Sequence, residues 1–221
     1  VDFSGSRILD IGAGPGSFAV PMAKLAREVV AIEPSEQMVN LMGSYAQEEG
    51  VSNLRIITAS WDEQFALEDH GLGGKFELVF SSMNPGIVNW TTLEKAINMA
   101  SKYCYISTFA GKRDNPALKE LWTQLYREPM PPWPGEIFYI VNLLYTKGYQ
   151  FSFKVWEETN QERLPVDEAA RLLAEMLARY GGKNLEEVWE PTLAYVKSRA
   201  NEANEFSQEI STRLGKILIC L

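Results

Sequence analysis

The chain has 221 residues, 46% of them hydrophobic and 11% aromatic, enough to bury one substantial core or a core with a cap. Its 21 Lys and Arg stand against 29 Asp and Glu, a formal charge of −8 with no dense basic run, which disfavours an extended phosphate-binding face and so an RNA or DNA substrate. No stretch approaches the ~18 uninterrupted apolar residues of a membrane span and no signal-peptide pattern is present, while two cysteines and one histidine argue against a metal site.

Arg7–Ile11 reads as a first strand that runs straight into Gly12-Ala13-Gly14-Pro15-Gly16. A helix with Phe18, Val20, Met22, Ala23 and Leu25 follows, and Pro21 falls in its first turn, where a missing N–H is tolerated. Val29–Glu33 is a second strand, and Pro34-Ser35 opens a helix with Met38, Leu41, Met42 and Tyr45 on one face. Further strands are expected at Leu54–Thr58, Phe76–Phe80 and Tyr103–Phe109, the last after a helix over Leu93–Ala100. This alternation predicts βα units and a parallel sheet.

The rhythm then changes. Two helical patterns between 112 and 149 are split by Pro129-Met130-Pro131-Pro132-Trp133-Pro134-Gly135, which cannot be a helix interior or a central strand. It reads as a hinge or lid, or equally as a rigid connector with Trp133 plugging a groove. Phe151–Trp156 alternates as a sixth strand, and Val166–Tyr180 is an amphipathic helix. The spacing continues from Leu185 to Val196 across Pro191, which is expected to kink or restart the helix; Lys216–Leu221 is the expected last strand. The resulting domain reading is a core over 1–111, a lid insertion over 112–149, a core strand over 150–157, a helical cap over 158–211 and a core strand over 212–221.

The glycine turn carries the chemistry. A dinucleotide-binding turn needs G-x-G-x-x-G to bring a helix N-terminus to a pyrophosphate. Here the glycines stand at 12, 14 and 16, and Ser17 holds the position of that third glycine. Asp10, two residues before the turn, would repel a pyrophosphate and suits a cation. S-adenosylmethionine has no phosphate and carries an ammonium and a sulfonium, so the pattern favours it over NAD.

With Asp10 before the glycines and Glu33 closing the second strand, the chain resembles the class I S-adenosylmethionine-dependent methyltransferases over roughly its first half and its last strand. That resemblance implies an α/β fold: a Rossmann-like, mostly parallel seven-stranded sheet with helices on both faces, its last strand antiparallel, plus a helical cap. It implies that Asp10, Gly12, Ala13, Gly14 and Gly16 wrap the methionine end of the cofactor. Glu33 would hold both ribose hydroxyls, since a carboxylate offers acceptors only. Pro34 and Met38 follow it at the adenine side. Residues after strand three flank the adenine in this family; Ser60 stands where an acid is usual, leaving Trp61 or Asp62 to supply the contact. Trp61 reads equally well as a core anchor. Ser82, Met83 and Asn84 would line the junction of cofactor and substrate. Asn84-Pro85-Gly86-Ile87 matches only half of an amine-directed motif and assigns no amine specificity.

The expectation is a cytoplasmic methyltransferase acting on a small molecule by in-line transfer, with no metal, no membrane and no nucleic-acid partner. A homodimer is compatible with it. Its rivals are a non-catalytic S-adenosylmethionine-binding subunit or regulatory module, and an RNA or protein methyltransferase. No residue is named catalytic; Glu136, Tyr139 and Tyr145 read as substrate contacts or as packing. Cys104 and Cys220 read as buried free thiols and His70 as a surface-loop residue. A start at Val1 without Met points to a segment upstream, where the resemblance implies helices that help roof the pocket.

Overall fold

The computed structural model describes residues 3–87, 89–133 and 136–221. In chain order the elements are β1 (Arg7–Ile11), α1 (Ala19–Ala23), β2 (Glu28–Ile32), α2 (Glu36–Glu48), β3 (Leu54–Ile57), β4 (Phe76–Ser82) and α3 (Trp90–Met99). There follow β5 (Ala100–Asp114), α4 (Pro116–Tyr126), α5 (Glu136–Thr146), β6 (Gln150–Pro165), α6 (Val166–Gly181), α7 (Leu185–Ser198) and β7 (Glu205–Cys220). The seven strands lie in the order β3-β2-β1-β4-β5-β7-β6. β1 runs parallel to β2 and β4, β2 to β3 and β4 to β5. The direction of winding reverses between β1 and β4, the place where open parallel sheets bind ligands beyond their carboxyl ends.

The chain divides into two compact units. The first comprises residues 1–110, 136–155 and 215–221. Its strands are apolar on both faces, as a covered parallel sheet requires. Alternate residues serve opposite layers: Leu9, Ile11, Val30, Ile32, Val79 and Ile106 pack with α3 and α5. Ile8, Val29, Ala31 and Leu78 pack with α1 and α2. Ser35 starts α2 by accepting from the Met38 N–H, and Asn89 forms a capping box with Thr92 at α3. Residues 136–149, read from the sequence as part of a lid, belong to this unit. Ile137 and Leu144 of α5 are fully buried in its core, and a Cβ at Gly215 would stand 2.6 Å from Ile137 Cδ1.

The second unit comprises residues 111–135 and 156–214. Leu118, Leu121 and Trp122 of α4 pack with Leu173 and Leu177 of α6 and with Val188 and Val196 of α7. Each such side chain, taken out of water, contributes roughly 1.5–3 kcal/mol. Asn115 and Asn184 cap α4 and α7, and α7 runs on through Pro191, with Thr192 Oγ1 donating to the Val188 carbonyl at 2.7 Å. Of the proline cluster, Trp133 is docked inside this unit, edge-on to Tyr180 at 4.8 Å and 4.7 Å from the Arg113 guanidinium. Its plugging role is the one seen; Pro134 and Gly135 lie outside the described residues.

Two stretches assigned from sequence to the helical cap are strand instead. β6 continues to Pro165 and β7 already begins at Glu205. Gln161 Nε2 donates to Glu209 at 2.8 Å and Gln208 Nε2 to Glu162 at 2.8 Å, partners that fall as one strand rises, so the pair is antiparallel. This ribbon is mostly polar; only Phe206 and Leu164 reach the core of the second unit, too sparse a pattern for a period-two apolar signal. Cross-strand polar pairs hold much of the rest. Cys104 is buried, but Cys220 is exposed, because Ile217 and Ile219 take the core side of β7 and Cys220 the other.

Candidate functional site

The tips of β1 and β2 meet around the glycine turn. Gly12 and Ala13 donate their N–H groups to the Ile32 carbonyl at 2.8 and 3.1 Å, which lashes the turn to β2. Gly12, Gly14 and Gly16 all have positive φ, where any other residue is strained. The three have different neighbours. A Cβ at Gly12 would stand 2.5 Å from Asn84 Cγ, and one at Gly16 would stand 2.6 Å from Met42 Cγ. A Cβ at Gly14 would meet nothing within 4 Å, so the open side of the turn is over Gly14.

Two acids converge there. Glu33 is buried, its Oε2 accepting from the Gly14 N–H at 2.9 Å and its Oε1 from the Ser35 N–H at 3.0 Å. A carboxylate offers about four lone-pair sites, so the Glu33 oxygens keep acceptor capacity beyond these two bonds. Asp10 is 2% exposed, and its Oδ2 is buried with no hydrogen-bond partner. Burial first, and then the Glu33 charge, push its carboxyl up to about 7. A buried carboxylate oxygen without a donor is costly unless something cationic or donating arrives. On β4, Asp10 pairs with Phe80, whose ring stacks on Tyr105 at 4.8 Å and meets Phe18 at 5.0 Å.

The β4 tip adjoins this turn through Asn84. Its Nδ2 donates to Ser81 Oγ at 3.2 Å and its Oδ1 accepts from the Gly86 N–H at 2.8 Å, which locks the side chain against Gly12. Ser82 and Ser107 share a hydroxyl bond at 2.8 Å. Met83 is half-exposed and sits at φ 54°, a conformation that costs a non-glycine residue roughly 1–2 kcal/mol; its N–H donates to the Ser107 carbonyl at 2.8 Å.

The adenine-side residues divide. Pro34 and Ser60 are exposed and Met38 is half-buried on α2. Trp61 is in the core: its Nε1 donates to the Thr92 carbonyl at 3.0 Å, and the Lys95 ammonium lies 4.8 Å over its ring. It is an anchor for α3, and its indole N–H is already committed. Asp62 Oδ1 accepts from the Gln64 and Phe65 N–H groups, both at 2.9 Å, so that oxygen shapes a turn. His70 lies in a single 3₁₀ turn, stacked on Phe65.

Beside Asn84 opens a cleft of about 440 Å³. β4 and β5 contribute Ser81, Ile106, Ser107 and Thr108, α3 contributes Trp90 and Leu93, and α5 contributes Tyr139, Ile140 and Leu143. Of the lining, sequence reading singled out Asn84, which does border the cleft, and Tyr139. Tyr145 is exposed and is not part of the lining, and the Glu136 side chain lies outside the described residues. The remaining walls come from strands and helices far apart in the chain, with no motif to mark them.

Residues 8–104 match the family model described as a methyltransferase domain. The chain is 41% identical over 49 residues to the methyltransferase YcgJ of Bacillus subtilis, 22% of this chain and 19% of that protein. It is 31% identical over 127 residues to a 23S rRNA (uracil(1939)-C(5))-methyltransferase of Shewanella amazonensis, 56% of this chain and 28% of that protein. The matched stretches thus span under a third of these curated relatives. The solved structure of YcgJ superposes with a TM-score of 0.57 at 16% identity, covering 98% of this chain and 92% of that one. That of magnesium protoporphyrin IX methyltransferase from Synechocystis, with bound SAH, gives 0.51 at 21% identity, covering 72% and 68%. At these identities the likeness is one of fold.

Proposed function

We propose that this chain, whose residues 8–104 match a methyltransferase domain, is a class I S-adenosylmethionine-dependent methyltransferase that transfers a methyl group from that cofactor to a small molecule. The observation that carries this reading is the buried, unpartnered Asp10 Oδ2 beside a glycine turn held by Glu33. The residues fit the cofactor's chemistry. Asp10 is the acceptor for an ammonium, the open backbone over Gly14 leaves room beside it, and Glu33 retains lone pairs for a vicinal diol. When bound, S-adenosylmethionine supplies a methyl group whose bonding pair stays on sulfur as the acceptor's lone pair takes the carbon.

What the chain itself contributes is position and exclusion of water. The Ile32 carbonyl and Glu33 hold the turn rigid, and Asn84, braced by Ser81 and Gly86, forms the partition between turn and cleft. Such alignment recovers as much as ~7–11 kcal/mol of a barrier. A small acceptor is supported by the size of the cleft and by the −8 charge, which offers little for an RNA backbone to displace counterions onto. A reducing compartment suits the two free cysteines.

Calorimetry with S-adenosylhomocysteine tests the reading. Binding is expected, weakened at least tenfold by Asp10→Ala and by Glu33→Ala, with no binding of NAD. Unchanged affinity in both variants would reject the site.

A further inference from the structure

Beyond the identity of the cofactor, the cleft beside Asn84 constrains what is methylated. Among the described residues its lining holds aromatic Trp90 and Tyr139, aliphatic Leu93, Ile106, Ile140 and Leu143, and neutral polar groups, but no charged side chain. Glu63 and Lys147 lie against lining residues without joining the lining. Glu63 accepts from Asn89 Nδ2 at 3.0 Å, and the Lys147 ammonium lies 5.1 Å over the Trp90 ring. Each is already engaged there.

Ser81, Asn84 and Ser107 bring polar groups from the β4 and β5 tips, and Asn89 at the start of α3 and the Tyr139 hydroxyl add others, while Trp90, Leu93, Ile140 and Leu143 make the helical walls largely apolar. A ligand with a carboxylate, phosphate or ammonium would be desolvated in this cleft with no counter-charge, and would bind poorly. A flat, uncharged ring would instead cover the apolar walls and present one polar substituent to Ser81 and Asn84.

We propose that this cleft is the acceptor site and takes an uncharged, ring-bearing molecule, with Leu143 on its α5 wall among the residues that set the charge preference. This rests on the methyltransferase reading above. It further implies an acceptor that attacks without help from a carboxylate or a histidine, since none of the described lining residues is either.

The test uses three isosteric probes at pH 7, measured by equilibrium dialysis against the full chain: 2-naphthol, 2-naphthoate and 2-naphthylmethylammonium. The neutral probe is expected to bind at least tenfold more tightly than either ion. Leu143 is 36% exposed, so Leu143→Glu places a charge at the wall with little disturbance to the core. That variant should prefer the ammonium over the naphthoate at least tenfold, and Leu143→Lys, which guards against misfolding of the first, should prefer the naphthoate. Equal binding of all three probes, or a ranking indifferent to both substitutions, would overturn the inference. S-adenosylhomocysteine titrated alongside separates the two claims. If it binds and the ranking fails, only the acceptor class falls; if it does not bind, the acceptor role falls together with the methyltransferase reading, whatever the ranking.

Discussion

Around Gly14 and around Asn84 the same sheet edge is built in opposite ways. At the tips of β1 and β2 the chain buries two acids, Asp10 and Glu33, and leaves one carboxylate oxygen without a donor. At the tips of β4 and β5 it borders a cleft lined by hydroxyls, two amides and largely apolar walls. The first arrangement costs stability unless a donor or cation meets it, which is what the proposed function supplies; the second costs little.

Gly12 is where the two regions touch, and breaking it should have the largest effect. Gly12→Ala adds a Cβ at φ +73° and 2.5 Å from Asn84 Cγ, displacing the partition. A loss of about 2–4 kcal/mol is expected in urea unfolding, with S-adenosylhomocysteine affinity falling more than tenfold.

Next comes the acid that the cleft lacks. The Asp10 carboxyl is raised from 3.8 to about 7, so between those values the native chain holds a proton that the unfolded chain has released. The stability from this group is complete below about pH 4 and is lost, by a few kcal/mol, as pH rises through about 7. Asp10→Asn should therefore flatten the thermal stability of the ligand-free chain between about pH 5 and 8 and leave it more stable at the upper end. The same variant should weaken cofactor binding. In the parent chain, S-adenosylhomocysteine affinity should rise with pH up to about 7 as Asp10 ionises. A parent melting curve insensitive to pH would show that Asp10 is ionised at little cost, and the contrast between the two regions would shrink.

Smaller effects are expected where neither region depends on charge. Trp61→Phe removes the Nε1 bond to the Thr92 carbonyl and some packing on α3, for a loss of about 1–2 kcal/mol in denaturant melts. Cofactor affinity should stay within twofold, since the Trp61 ring is an anchor. Smallest is Gln161→Ala in the β6–β7 ribbon, which should change stability by less than about 0.5 kcal/mol, because its Glu209 bond is exposed to water.

Legibility in the sequence followed the physics of each part. β1 was readable to the residue at Arg7–Ile11, and the turn with its two acids was readable, because strand periodicity, glycine spacing and a carboxylate at a strand end are all local. The family likeness then supplied the sheet. Trp61 was ambiguous because a tryptophan after a strand serves a ring stack or a core equally well; only the Thr92 carbonyl and Lys95, some thirty residues on, decide between them. The β6–β7 ribbon was hidden because its residues are mostly polar, with only Phe206 and Leu164 on the core, and rich in Glu and Gln, which favour helix in isolation.

By itself, then, the chain's order of residues determined a parallel sheet ending in a glycine turn flanked by Asp10 and Glu33, since those features rest on neighbours within some twenty-five positions. Only the tertiary structure decided that Asp10 Oδ2 is left without a partner, that Asn84 abuts Gly12, and that β4, β5, α3 and α5 border one cleft with no charged side chain among its described lining residues. Desolvation and enclosure are properties of surfaces brought together from distant parts of the chain, and no local pattern encodes them.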